Sequence, residues 1–324
     1  MRGEPANVRP EATRVPGEAA PVPTGPGIPR RRRSGDNAAV TPAQPPTIRL
    51  LALDIDGTLI GSDGILRPRA ISAVQAAIAA GVRVALATGR MTSSALPIAR
   101  TLGIREPIIG LQGAAIREMP PAAGRGRGRL LCHRPLDAAT TREAVAWCRG
   151  AGLTPHINRL ETMYFDGADE RLDAWSRWLP SSVRIVADVG TWSGGPVSKV
   201  IAVGPPGLPA AVLEDARARF GGRARPVVSH PEFLEFVAPG VSKGRAVRWL
   251  ARRTGIPLAA TMAIGDQLND LEMIRAVGFG VAMPDGPAEL RDAARMIAPP
   301  LAEDGVARVI ERFVLGGRRP REGV

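Results

Sequence analysis

The stretch Leu51-Ala52-Leu53-Asp54-Ile55-Asp56-Gly57-Thr58-Leu59 decides how the rest of the chain is read. It overlaps a short apolar run, Ile48 to Leu53, that ends at an acid, the pattern of a strand buried on both faces of a parallel sheet. Asp54 and Asp56 are two residues apart, so in extended chain their carboxylates project to the same side. They do so at the carboxyl end of the strand, where open α/β sheets place their ligands. Like charges this close repel. Keeping both ionised requires a cation, and two carboxylates with further oxygen donors suit Mg2+ in octahedral geometry. An isolated pair of this kind also fits an ordinary solvated strand end, so its meaning depends on the rest of the chain.

Beyond Leu59 the pattern alternates between helix and strand. A helix is predicted over Pro68 to Ala80, stopped by Gly81, then an apolar strand over Val82 to Ala87, as in a βαβ unit. A helix over Ser93 to Leu102, a strand over Ile108 to Leu111 and a hairpin through Gln112-Gly113 come next, before Met119 to Arg129 lapses into Pro, Gly and Arg like a linker. A second α/β pattern fills Leu130 to Val237, with helices near Asp137 to Arg149, Glu170 to Trp178 and Pro209 to Phe220. From Lys243 the first pattern resumes: helix Lys243 to Thr254, strand Thr261 to Ile264, helix Asn269 to Val277, strand Phe279 to Ala282 and a closing helix Val306 to Phe313. The expected class is α/β, a Rossmann-like parallel sheet core (47–128 and 239–315) with an inserted α/β cap domain (129–238). Residues 1–46 and 316–324 have no apolar period and are expected to be disordered tails.

Composition narrows the functional classes. With 324 residues, 44% of them hydrophobic, the chain can bury two cores and is not a disordered polymer. Two cysteines, Cys132 and Cys148, exclude a disulfide scaffold and suit a reducing compartment. No run approaches the ~18 apolar residues of a membrane span, and the first residues carry Pro and Glu where a signal peptide needs an apolar core. A cytoplasmic protein with no membrane partner is expected. The net charge of +12 could mark a nucleic-acid partner, but the two tails hold +5 of it. Aromatics are only 4% and are not interleaved with the Arg runs, so no base-stacking platform is evident and nucleic acid is not the favoured partner.

Three further pieces join the acidic pair. Thr88-Gly89 directly follows an apolar strand, where a hydroxyl and backbone N–H groups can hold phosphate oxygens. Gly265-Asp266-Gln267-Leu268-Asn269-Asp270 follows another, placing Asp266 at the strand end and Asn269 and Asp270 in the first helical turn. Acids there also serve as helix caps, so Asp270 alone is ambiguous. The last piece is a lysine. Of 43 basic residues only Lys199 and Lys243 are Lys, so wherever a generic positive charge suffices this chain uses Arg. The two exceptions are candidates for a compact point charge. Lys243 opens a helix, where a cation opposes the dipole, and phosphate neutralisation supplies a reason for it. Lys199 fits either a site role or plain surface.

In this order the pieces resemble the haloacid dehalogenase superfamily, and within it the Cof-type sugar-phosphatase branch, over about residues 47 to 315. The resemblance is carried by LALDIDGTL at Leu51–Leu59, ATGR at Ala87–Arg90, GVSKG at Gly240–Gly244, GDQLNDLEM at Gly265–Met273, VAM at Val281–Met283 and EDGVARVIERF at Glu303–Phe313. It implies a phosphatase acting on small phosphorylated metabolites, in which Asp54 attacks phosphorus and Asp56 acts as acid and then base. It implies Mg2+ held by Asp54, Asp266 and the Asp56 backbone carbonyl, with Asp270 orienting Lys243 or a metal-bound water. Thr88, Gly89, Lys243 and Asn269 would bind phosphate. A phosphomutase or phosphotransferase would share the same covalent intermediate, and a basic nucleic-acid-binding protein without activity is a more distant alternative. The chain departs from the branch at Gln112-Gly113-Ala114, where Asn-Gly-Ala is usual, and at Pro284-Asp285-Gly286, where Gly-Asn-Ala follows VAM.

Overall fold

The computed structural model describes residues 47–121, 126–167 and 182–316. The expected tail at 1–46, the expected helix at 170–178 and all but the first residue of the expected tail at 316–324 lie outside the described residues.

The apolar run before Asp54 forms the strand Leu50–Leu53, every residue of it fully buried. It lies inside a five-stranded parallel sheet in the order Met296–Ile297, Phe279–Ala282, Thr261–Gly265, Leu50–Leu53, Arg83–Leu86. Leu53 is in register with Ile264 on one side and Leu86 on the other. Three neighbouring strands therefore end at one level, and the residues just beyond them, Asp54, Asp266 and Thr88, come out along one edge.

Alternation along the strands divides the packing between two faces. Leu51, Leu53, Leu86 and Ile264 join a core with helices Pro68–Ala79 and Thr92–Thr101 and the closing helix Gly305–Ile310. On the other face Ala52, Ala85 and Ala263 pack with Ala246, Val247 and Leu250 of helix Lys243–Thr254. Small side chains on this face bring that helix close to the sheet, with its first residue beside the strand ends.

The inserted segment builds a six-stranded sheet among the described residues, in the order Arg225–His230, Phe233–Val237, Lys199–Val203, Thr154–Arg159, Thr162–Asp166, Val183–Val186. It is antiparallel except for the pair Thr162–Asp166 and Val183–Val186. One face, with Val200, Ala202, Leu234 and Phe236, packs against helices Ala138–Gly150 and Leu213–Phe220. The alternate residues Lys199, Ile201, Phe233 and Glu235 line a cavity shared with the core. A three-stranded antiparallel sheet, Ile108–Gly110, Ala115–Arg117 and Leu130–His133, connects strands on either side of residue 129.

Two helices depart from their expected bounds. The expected helix Pro209–Phe220 is broken at Val212 into Leu208–Ala211 and Leu213–Phe220. The expected helix Asn269–Val277 opens with a tight turn, Leu268–Asp270, because Asp270 folds back in a capping box with Gln267. Among the described residues no helix is long and apolar enough to cross a membrane.

Two glycines in left-handed conformation test how tightly the Lys243 helix is seated. Gly113 has φ +95°, and a Cβ there would lie 2.4 Å from the carbonyl oxygen of Ser242, the residue capping that helix. Gly81 has φ +82° and nothing within 4 Å of such a Cβ. Gly81→Ala should cost about 1 to 2 kcal/mol, from backbone strain alone. Gly113→Ala should cost at least about twice that, since backbone must also move. Urea unfolding of the two variants checks this, and equal losses would contradict the close approach of Gly113 to the helix cap.

Candidate active site

Lys243 is the first residue of its helix, and the Ser242 hydroxyl caps that helix by accepting from the Arg245 N–H at 3.0 Å. Its Nζ, with the side chain 1% exposed, donates to Asp54 Oδ1 at 2.7 Å and to Asp270 Oδ1 at 2.8 Å. Burial works against charge on this ammonium, but the carboxylates of Asp270 and Asp54 outweigh it and raise its pKa above the ordinary lysine value. They also explain why a cation stands at the unfavourable end of a helix.

Asp270 is fully engaged. Its Oδ1 binds Lys243, and its Oδ2 accepts from the backbone N–H groups of Asp266 at 3.1 Å and Gln267 at 3.3 Å. Gly265 leaves room for this, since a Cβ there would lie 2.4 Å from Asp270 Cγ. Asp270 thus both aims the lysine and fixes the loop that carries Asp266.

Burial, followed by the nearby Asp270 carboxylate, raises Asp54 well above the ordinary aspartate value despite the opposing pull of Lys243. The same two causes push Asp266 up to about 7. Asp54, Asp266 and Asp270 each offer an oxygen, and these lie within 4.8 Å of one another. A Cβ at Gly57 would fall 2.0 Å from Asp266 Oδ2, so glycine is required beside the cluster. Buried, converging, all-oxygen donors that repel one another fit a hard divalent cation. The carboxylate of Asp56 is not in this cluster. Arg90 holds both of its oxygens, with Nε on Oδ2 at 2.8 Å and Nη2 on Oδ1, which leaves the backbone carbonyl as the expected metal contact of Asp56.

On the other side of Asp54, the Thr88 N–H donates to the Ile109 carbonyl at 2.9 Å, and its hydroxyl accepts from the Arg90 N–H at 3.0 Å. Gln112 closes this side. It is 2% exposed with φ +60°, and it follows Leu111 at φ +52°. Such strain in non-glycine residues clusters at functional sites. Gln112 Oε1 accepts from Asn269 Nδ2 at 3.1 Å, whereas Gln112 Nε2 and Asn269 Oδ1 are buried without a protein partner. A Cβ on Gly89 would lie 2.6 Å from Gln112 Nε2, so Gly89 admits the amide into the site.

The structure brings together Asp54, Lys243, Asp266, Asp270, Thr88, Gly89 and Asn269, all expected from sequence, with Asp56 adjoining. The residues not anticipated are Gln112, noted only as a departure, and the Arg90 fork on Asp56. Lys199 is 3% exposed and faces the site. A cavity of about 350 Å³ separates this constellation from the cap sheet.

The model of the haloacid dehalogenase-like hydrolases matches residues 51–310. The HMP-PP phosphatase of Serratia proteamaculans (strain 568) is 29% identical over 249 residues, which are 75% of this chain and 86% of that protein. The 5-amino-6-(5-phospho-D-ribitylamino)uracil phosphatase YitU of Bacillus subtilis (strain 168) is 26% identical over 275 residues, 82% of this chain and 97% of its own length. A haloacid dehalogenase-like hydrolase from Bacteroides thetaiotaomicron has a crystal structure that superposes with a TM-score of 0.69 at 27% identity, covering 82% of this chain and 100% of that chain.

The raised Asp266 makes stability depend on pH. The folded protein retains a proton up to about pH 7 that the unfolded chain releases near pH 4. The stability linked to it is complete below about pH 4 and is lost as pH rises through 7. In chelator, the melting temperature should fall between roughly pH 5 and pH 8, and added Mg2+ should raise it most at the alkaline end. A chelated protein whose melting temperature climbs across this window would contradict the crowding of carboxylates around Asp266.

Proposed function

This chain belongs to the haloacid dehalogenase-like hydrolase family, in its Cof-type branch, and we propose that it is a Mg2+-dependent phosphatase of small phosphorylated metabolites that works through an aspartyl-phosphate. Sugar phosphates and phosphorylated cofactors are the substrates in view. The observation that carries the reading is the Lys243 ammonium, buried and bonded to both Asp54 and Asp270 at the end of the strand Leu50–Leu53.

A carboxylate oxygen of Asp54 attacks phosphorus, and the ester oxygen leaves with a proton from Asp56. Water then attacks the acyl phosphate, Asp56 takes its proton, and inorganic phosphate departs with Asp54 restored. Dividing the reaction in this way suits phosphate monoesters, among the slowest of uncatalysed hydrolyses. Asp54, Asp266 and the Asp56 backbone carbonyl would hold Mg2+, which when bound supplies positive charge between the carboxylates and the phosphate dianion. Lys243, Thr88, Gly89 and Asn269 meet the oxygens of the transferring group, and the Gln112 amide adds a donor there. Arg90 orients Asp56, and its fork must open toward the leaving oxygen for Asp56 to serve as acid.

A phosphate-release screen over many phosphorylated metabolites with Mg2+ and no acceptor tests the reading, because a mutase or phosphotransferase needs an acceptor. Asp54→Asn keeps the shape of the side chain but not its nucleophilicity, and should abolish turnover in a folded protein. Substantial release by that variant would rule out the covalent route.

Lys243→Arg should lower kcat by about 10^2 to 10^3, the usual loss for one preorganised contact. The planar fork cannot occupy the point where a compact ammonium meets Asp54 and Asp270 together. Steady-state kinetics at saturating substrate and Mg2+ reads this directly, and retention of more than about a third of wild-type kcat would show that charge alone matters at that position.

A further inference from the structure

The proposed chemistry leaves the buried ion pair of Lys199 and Glu235 unused. Lys199 and Glu235, 3% and 4% exposed in their side chains, lie on adjacent cap strands with Nζ 2.8 Å from Oε2. Replacing a buried ion pair by well-packed apolar residues is often neutral or stabilising, so such a pair needs a reason other than stability. Glu235 is itself held by the Ser229 hydroxyl, which donates to Oε1 at 2.6 Å. The lysine is thereby aimed, and Nζ reaches out of the cap to donate to the carbonyl oxygen of Gly89 at 2.8 Å.

That carbonyl belongs to the peptide linking Gly89 to Arg90. The N–H of the same peptide donates to the Thr88 hydroxyl. Since a peptide unit is planar, Lys199 on one edge and Thr88 on the other fix a single plane. The Thr88 oxygen, occupied by the Arg90 N–H, directs its own proton elsewhere. Arg90, the next residue, forks onto Asp56. One hydrogen bond from the cap therefore bears on a phosphate-binding hydroxyl and on the acid–base carboxylate. Lysine suits this position, because a compact ammonium can satisfy Glu235 and a backbone carbonyl together where a wide planar fork would push them apart.

We propose that Lys199 is a positioning residue for the reaction: its bond to the Gly89 carbonyl orients the Gly89–Arg90 peptide and so sets Thr88 and Asp56 for catalysis, whatever the leaving group. The inference rests on the phosphatase reading and adds a coupling of cap to core that does not depend on substrate identity.

The test uses the full chain with Lys199→Met/Glu235→Gln, which removes the ammonium without leaving a buried carboxylate unpaired. Lys199→Met/Glu235→Met serves as a second variant should the first not fold, as judged by its melting temperature. Two phosphomonoesters with unlike leaving groups, p-nitrophenyl phosphate and a hexose phosphate, are compared in Mg2+. Inorganic phosphate, which has no leaving group to meet the cap, is used as a competitive inhibitor. The expected result is a fall in kcat by one common factor for both esters, about tenfold to a hundredfold as for small misplacements of reacting groups. The inhibition constant of phosphate should rise by about tenfold, as for loss of one well-made contact. An unchanged phosphate constant with losses that differ between the esters would assign Lys199 to the leaving group, and no change in any constant would make the pair purely structural. Either result overturns the proposal. A wild-type protein that releases phosphate from no ester and does not bind phosphate would defeat the phosphatase reading itself, and this inference with it.

Discussion

One ammonium in a nest of carboxylates organises this molecule. Lys243 Nζ bridges Asp54, just after the strand Leu50–Leu53, and Asp270, from the turn after a neighbouring strand. Its helix is held by its neighbours at points where only glycine fits. A Cβ on Gly113 would strike Ser242, and one on Gly244 would lie 2.6 Å from the backbone of Glu272. The alanine-rich face of the sheet serves the same close approach. Burial first, and then the negative excess of three carboxylates around one ammonium, raises Asp54 and Asp266. The cluster could hold a further cation, because the one lysine does not neutralise its three carboxylates.

The contrast between position and charge runs through the whole composition. Arginine supplies 41 of the 43 basic residues, and among the described residues most of its ion pairs are at the surface, as in Arg69 with Glu311 or Arg217 with Glu214. Pairs of that kind contribute little to stability. The two lysines are both buried, and each divides its donors between two fixed acceptors. Rarity of a residue type was therefore a usable signal in this chain, because it separated sites that need a charge from sites that need a small charge at a point.

The core was legible for a simple reason. Parallel strands buried on both faces read as unbroken apolar runs, and the residues ending them read as a site, so Asp54, Thr88 and Asp266 emerged without knowledge of the fold. What escaped depends on side chains that act against local pattern. Gln112 occupies a left-handed position that glycine or asparagine would be expected to fill, and nothing in its neighbours predicts that its amide enters the site. The fork of Arg90 on Asp56 joins residues 34 apart in sequence. In the cap, alternation shows that Lys199 and Ile201 share a face, but it does not say that this face meets the core. Val212 interrupts a continuous helical pattern, and the structure gives no physical reason for the break.

The acidic cluster is an unfavourable arrangement that the sheet makes tolerable. Leu50, Leu51, Ala52 and Leu53 are entirely buried, and each fully buried leucine contributes about 1.5 to 3 kcal/mol. Slipping this strand by one residue would turn every one of these side chains to the opposite face and break its register with both neighbours. The carboxyl end of the strand is consequently fixed against the repulsion it carries. Packing on both faces and register with both neighbours hold Asp54 within reach of Asp266 and Asp270. A rigid sheet of this kind fixes the positions of buried charges, which act more strongly on one another than charges in solvent. The same apolar residues that make the strand readable in sequence are what hold its chemistry in place.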